Sequence, residues 1–155
     1  MTEATSDHSV VLDTHVLVWL VAGESRLPRA VRQAIENASY GAGVNVSAIS
    51  LWEIAMLVAK ERLQLRRDVG EWIGLVAANP ALTVVPLAPE IAVASTRLPG
   101  EIHRDPADRI IIATTRTLNS TLVTADGALL DYGAAGHVRT MHALVGGDTH
   151  ADPTE

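Results

Sequence analysis

Cysteine is missing from all 155 residues. Disulfide frameworks, thiolate metal sites and cysteine nucleophiles are therefore excluded. The absence fits a reducing compartment, and a cytoplasmic location is the expectation. Phenylalanine is also missing and aromatic residues make up only 3%, so the core must be aliphatic, built from Val, Ile, Leu and Ala. No uninterrupted apolar run approaches the roughly 20 residues of a membrane span, and no membrane contact is expected. The first nine residues are polar and acidic, and the apolar stretch behind them contains Asp13 and His15, so nothing there reads as a signal peptide. The single lysine, Lys60, lies in a helical pattern, which leaves an aspartyl-nucleophile mechanism without an obvious lysine partner. No glycine-rich phosphate loop occurs. Six histidines are present, but none has His-x₃-His spacing, and zinc chemistry has no support.

What is present points to a folded chain. Apolar residues make up 48% and charged residues 19%, outside the disordered range and sufficient for one domain with one core. That domain is expected over residues 9–145, with residues 1–8 and 146–155 as flexible termini. The formal charge of −6 argues against polyanion binding by the whole surface. It leaves room for a local basic strip, for an acidic cleft whose sign bound divalent cations would change, and for a basic protein partner.

Short β-rich runs alternate with helical ones. Strands are expected at 9–13, 44–47, 82–85 and 121–124, with a last edge strand at 138–141. Helices are expected at 15–21, from Pro28 to near Asn37, and at 50–59, 68–78, 89–98 and 105–118. A short turn of helix is expected at 127–130, and residues 62–65 read as a short return. Such alternation implies an α/β fold with a central parallel sheet covered on both faces. Sites in these sheets form beyond the carboxyl ends of the strands.

Four acids fall where that rule points, and each has an ordinary structural reading beside a functional one. Asp13 ends the first strand and could simply cap the following helix. Ser50-Leu51-Trp52-Glu53 reads as a capping box, although Glu53 among apolar neighbours needs a partner that a metal could supply. Asp105-Pro106-Ala107-Asp108 is a helix-start signature that accounts for both of its acids. Asp126 before Gly127 is ordinary turn chemistry. The conjunction is stronger than its parts. If the four elements converge, four carboxylates repel one another and raise each other's pKa, and a hard divalent cation relieves this.

The segments Val11-Leu12-Asp13-Thr14-His15-Val16-Leu17, Val46-Ser47-Ala48-Ile49-Ser50-Leu51-Trp52-Glu53-Ile54-Ala55, His103-Arg104-Asp105-Pro106-Ala107-Asp108-Arg109-Ile110-Ile111-Ile112-Ala113-Thr114 and Leu122-Val123-Thr124-Ala125-Asp126 resemble, in order and spacing, PIN-domain ribonucleases. The likeness is to the VapC-type toxins of toxin–antitoxin pairs, and it covers the chain from about Val10 to Met141. The resemblance implies a three-layer α/β/α PIN-like domain and endonucleolytic cleavage of RNA dependent on Mg²⁺ or Mn²⁺. It implies a cognate antitoxin as inhibitor and partner, and a homodimer. It carries the family's acids onto Asp13, Glu53, Asp108 and Asp126 as metal-binding catalytic residues. Asp105 also matches a recurrent family position and is read as the helix cap. Under this reading Asp13, Glu53 and Asp108 hold the metal directly, Asp126 orients a water or a second ion, and an activated water attacks phosphorus in line.

Thr14, Ser50 and Thr124 are candidates to hydrogen-bond these carboxylates, with capping or strand packing as the alternative. Among the basic residues, Arg62, Arg66 and Arg67 follow the Glu53 helix, and Arg104, Arg109 and Arg116 flank the Asp108 helix. Such runs are usually solvated faces. Arg104 and Arg109 adjoin the acids and are favoured for phosphate contact. Trp19, Trp52 and Trp72 occupy amphipathic positions that suit core or dimer packing better than base stacking. A catalytically silent PIN-like module that only binds RNA or a protein partner is the competing function, and the presence of all four acids disfavours it.

Overall fold

A computed structural model describes residues 8–102 and 105–145. The expected termini, apart from His8, lie outside these residues, as do His103, Arg104 and His150. Five strands form one parallel sheet: β1 (Val10–Leu12), β2 (Val44–Ser47), β3 (Thr83–Val85), β4 (Thr121–Thr124) and β5 (Arg139–His142). Their order is β3-β2-β1-β4-β5, and every pairing is parallel.

The β1 sequence shows why helices must cover both faces. Val10, Val11 and Leu12 are all buried, yet successive strand residues point to opposite sides. Val10 and Leu12 join a core with Val16 and Leu17 of α1 (Thr14–Ala22), Val31 and Ile35 of α2 (Arg29–Ser39), and Trp72 and Val76 of α4 (Val69–Ala78). Val11 joins a second core with Ile111 and Ile112 of α6 (Pro106–Thr117) and Leu129 and Tyr132 of α7 (Gly127–Ala134). Helix α3 (Ala48–Ala59) sends Ile54 to the first core and Ile49 to the second, and α5 (Pro89–Ser95) packs on α6. The result is the expected α/β/α layering.

Several local boundaries differ from expectation. The helix carrying Glu53 starts earlier, because Ser47 itself caps it: its Oγ accepts from the Ile49 amide at 3.2 Å. The Ser50–Glu53 capping box is therefore not formed, and Glu53 sits in the second turn with its carboxylate released for other contacts. Helix α7 continues to Ala134 instead of ending after one turn, since Leu129 and Tyr132 give it an apolar face to bury. Residues 62–65 cross as a loop with no strand pairing.

The chain runs outward from β1 through β2 to β3, then returns to lay β4 against the other side of β1. The strand order therefore reverses between β1 and β4, and a crevice opens beyond their carboxyl ends. The residues that follow there are Asp13 after β1, and Ala125 and Asp126 after β4.

Candidate metal centre

Asp13 anchors the crevice. Its amide donates to the Val123 carbonyl at 3.0 Å, continuing the sheet one residue past β1. The side chain is buried, with 8% of the residue's surface exposed, and both oxygens are held. Oδ1 accepts from the Thr14 amide at 2.9 Å, and Oδ2 accepts from the Thr124 hydroxyl at 2.6 Å. Burial pushes its pKa up, while these two bonds and His15 pull the other way and the Asp126 charge adds to the rise.

Thr124 holds two acids in register. Its hydroxyl donates to Asp13 and its oxygen accepts from the Asp126 amide at 3.0 Å. Asp126 then caps α7 through Oδ1, which accepts from Leu129 at 3.1 Å. Across the crevice, the Thr14 hydroxyl lies 2.6 Å from Glu53 Oε1 and 2.9 Å from Ser50 Oγ. A hydroxyl has one proton and an ionised carboxylate can only accept, so Thr14 donates to Glu53 and the Ser50 hydroxyl points toward Thr14. All three hydroxyl candidates thus contact the acids or one another.

Asp105 and Asp108 are separated by orientation. Asp105 Oδ1 accepts from the amides of Ala107 and Asp108 at 2.9 and 3.2 Å, which is the expected N-cap. Asp108 lies in the first turn of α6 and its carboxyl is pushed up to about 7. Burial is the largest cause, followed by the charges of Asp13, Asp105, Asp126 and Glu53. That list is itself geometric: Asp108 is within electrostatic reach of every other acid of the crevice. The N-termini of α1, α6 and α7 open beside the same acids, and their amide dipoles favour anions there.

Among the described residues no three His, Asp or Glu side chains close into a ready ligand cage. The donor set still suits a divalent cation of the hard class. It is all oxygen, burial and neighbouring charge raise the carboxyls of Asp13 and Asp108, and it consists of separated carboxylates that would leave coordination positions to water and phosphate. Asp13, Glu53, Asp108 and Asp126 are the residues that could hold it.

The favoured basic residue Arg109 is held by its Nε, which donates to the Ser95 carbonyl at 3.0 Å. Trp72 is buried, and Trp19 is half-buried beneath Arg26, whose guanidinium lies 5.0 Å from the ring centre. Trp52 departs from core packing, with 57% of its surface exposed beside Glu53.

Comparison with known proteins bears on this geometry. The sequence profile of the PIN domain matches residues 10–135. Ribonuclease VapC22 of Mycobacterium tuberculosis is 40% identical over 121 residues, which are 78% of this chain and 89% of that protein. The crystal structure of VapBC2 from Rickettsia felis bound to a promoter DNA fragment superposes with a TM-score of 0.63 at 16% identity, covering 84% of this chain and 96% of that one. FitAcB from Neisseria gonorrhoeae gives 0.59 at 19% identity, covering 86% and 97%. At these identities the structural likeness shows the fold.

Proposed function

The chain belongs to the PIN-domain family, and from that premise we propose that it is a divalent-cation-dependent endoribonuclease acting as the toxin of a toxin–antitoxin pair. The observation that carries the reading is the crowding of acids around Asp108, whose carboxyl is raised to about 7 by burial and four neighbouring carboxylates. A protein gains nothing in stability from such a group, so it is a candidate for function. The ribonuclease relative supports RNA as substrate. The complexes among the structural neighbours support an antitoxin as partner. No helix among the described residues is long and apolar enough to cross a membrane.

In this reading Asp13, Glu53, Asp108 and Asp126 hold Mg²⁺ or Mn²⁺. When bound, the ion supplies charge neutralisation at the phosphate and makes a water more acidic. The side chains do the rest. Thr124 fixes both Asp13 and the backbone of Asp126, and Thr14 fixes Glu53, so the carboxylates need little reorganisation when substrate arrives. The helix N-termini draw the scissile phosphate toward the acids. Asp126, held through one oxygen by its capping bond, would have the other to orient a water or a second ion. A homodimer and a cytoplasmic location accompany this assignment.

The test is cleavage of mixed total RNA by the purified protein with Mg²⁺, with Mn²⁺ and with EDTA, beside Asp13→Ala. Discrete metal-dependent fragments, absent with the variant, are expected. An intact RNA pool under every metal would favour the silent binding module.

A further inference from the structure

A second concavity lies away from the acids. A cavity of about 900 Å³ runs beside the free edge of β5, between the C-terminal part of α6 and α7. Arg116 and Arg139 both line it, with His142 also among the lining residues and Asp131 as its one acid. Each guanidinium is tethered by one nitrogen. Nη1 of Arg116 donates to the His137 carbonyl. Nη2 of Arg139 donates to the carbonyl and the side-chain oxygen of Asn119 at 2.6 and 2.7 Å, and contacts the His8 ring. Among the described residues neither arginine pairs with a carboxylate; the ion pair there is Arg26 with Glu24. His142 accepts from the Leu144 amide at Nδ1, so the proton of its neutral ring is on Nε2 and that nitrogen is a donor.

Two positioned cations in one cleft, without a carboxylate partner among the described residues, stand out in a chain of charge −6. Tethering one nitrogen leaves the rest of each planar fork presented for a bidentate acceptor such as phosphate. Helix α6 carries both sites. Asp108 and Arg116 are eight positions apart on it, and a rise of about 1.5 Å per residue separates them by roughly 12 Å. Arg139 is opposite Thr121 at the start of β4, so the cleft lies toward the other end of the sheet, and only a strand long enough to run past the acids along the length of α6, with a phosphate at every nucleotide, reaches it.

We infer that the Arg116–Arg139 cleft is an exosite for the RNA backbone, holding phosphates of the substrate strand beyond the scissile bond. The inference rests on RNA being the substrate and adds where that strand runs.

Binding without cleavage tests it. Labelled oligouridylates of increasing length are titrated by fluorescence anisotropy in Ca²⁺, a hard cation for oxygen ligands, against protein with all four acids intact, with and without Arg116→Gln/Arg139→Gln, each RNA being recovered to check that it is uncut. Affinity is expected to rise as the oligonucleotide becomes long enough to span both sites. The double variant should lose that gain, and its slope of log affinity against log salt should fall by about 1.4, at about 0.7 per single-strand phosphate contact. If the pair of changes prevents folding, Arg139→Gln alone should reduce the slope by about 0.7, and Arg116→Lys/Arg139→Lys should keep most of it. An unchanged slope and length dependence in a folded variant would overturn the exosite while leaving the nuclease intact. A charge-dependent slope in a protein that cleaves no RNA would do the reverse. Capture of an acidic peptide with no affinity for RNA would overturn RNA as the occupant.

Discussion

Replacing Asp108 by Asn should make the metal-free protein more stable at neutral pH while abolishing its proposed activity. Asp108 has its carboxyl raised to about 7 from an ordinary value of 3.8. Between those two values the native protein holds a proton that the unfolded chain has released. Stability therefore falls as pH rises through that window and levels off above it. At about 1.4 kcal/mol per unit, the ceiling on this cost is about 4 kcal/mol. Solvent reaching a half-buried carboxyl, and relaxation of its neighbours, reduce the measurable part to about 2 kcal/mol. Asn keeps the shape without the charge. For a chain of this size the gain corresponds to a rise in melting temperature of about 4–8 °C at pH 8, shrinking toward zero near pH 4. The assay is thermal unfolding in EDTA across pH 4–9, repeated with Mg²⁺ or Mn²⁺. Added metal should raise the wild-type melting temperature more than the variant's, because binding to the native state stabilises it by mass action. A variant no more stable than wild type at pH 8 in EDTA would mean that Asp108 carries no electrostatic cost in the native protein.

Thr124→Val removes the hydroxyl that holds Asp13 Oδ2 and the Asp126 amide; a loss of about 10–100-fold in activity is expected, the usual range for a group that orients ligands, read from initial cleavage rates at saturating metal. Ile111→Ala opens space among Val11, Leu122 and Leu129 under α6 and should cost about 2–5 kcal/mol in urea unfolding. Gly133 lies where an added Cβ would meet Thr140 Cγ2 at 2.6 Å, so Gly133→Ala should destabilise by about 1–3 kcal/mol. Adding Thr140→Ala should restore most of that loss, measured by the same unfolding.

Much of the architecture was legible because both periodicities are local. The run Val10-Val11-Leu12, apolar at every position, can only be a strand covered on both faces, and Asp13 directly behind it marks the carboxyl end. Asp105-Pro106 and Asp68 announce helix starts that the backbone adopts, with capping bonds to match. The failures have a common physical origin. Ser47 and Ser50 are equally good caps in sequence, and the choice between them was made by the pairing of β2 with β3, which carries the strand as far as Ser47. The length of α7 depended on packing of Tyr132 against the second core, a contact distant in sequence. The hydroxyl bonds from Thr14 to Glu53 and from Thr124 to Asp13 span 39 and 111 residues. They could be proposed from residue type, but only folding decides that they form. Arg139 carried no signal at all, because a lone arginine in an edge strand reads as solvated surface until Arg116 and the α7 face are set beside it.

Calorimetric titration of Mn²⁺ decides whether Asp13, Glu53, Asp108 and Asp126 together hold a divalent cation. Saturable binding to the wild-type protein is expected at millimolar metal or below, with a marked weakening in Asp13→Asn and in Asp126→Asn, each checked for folding by its melting curve. Binding of equal strength to wild type and to both variants, or no binding by a folded wild type, would contradict a shared site.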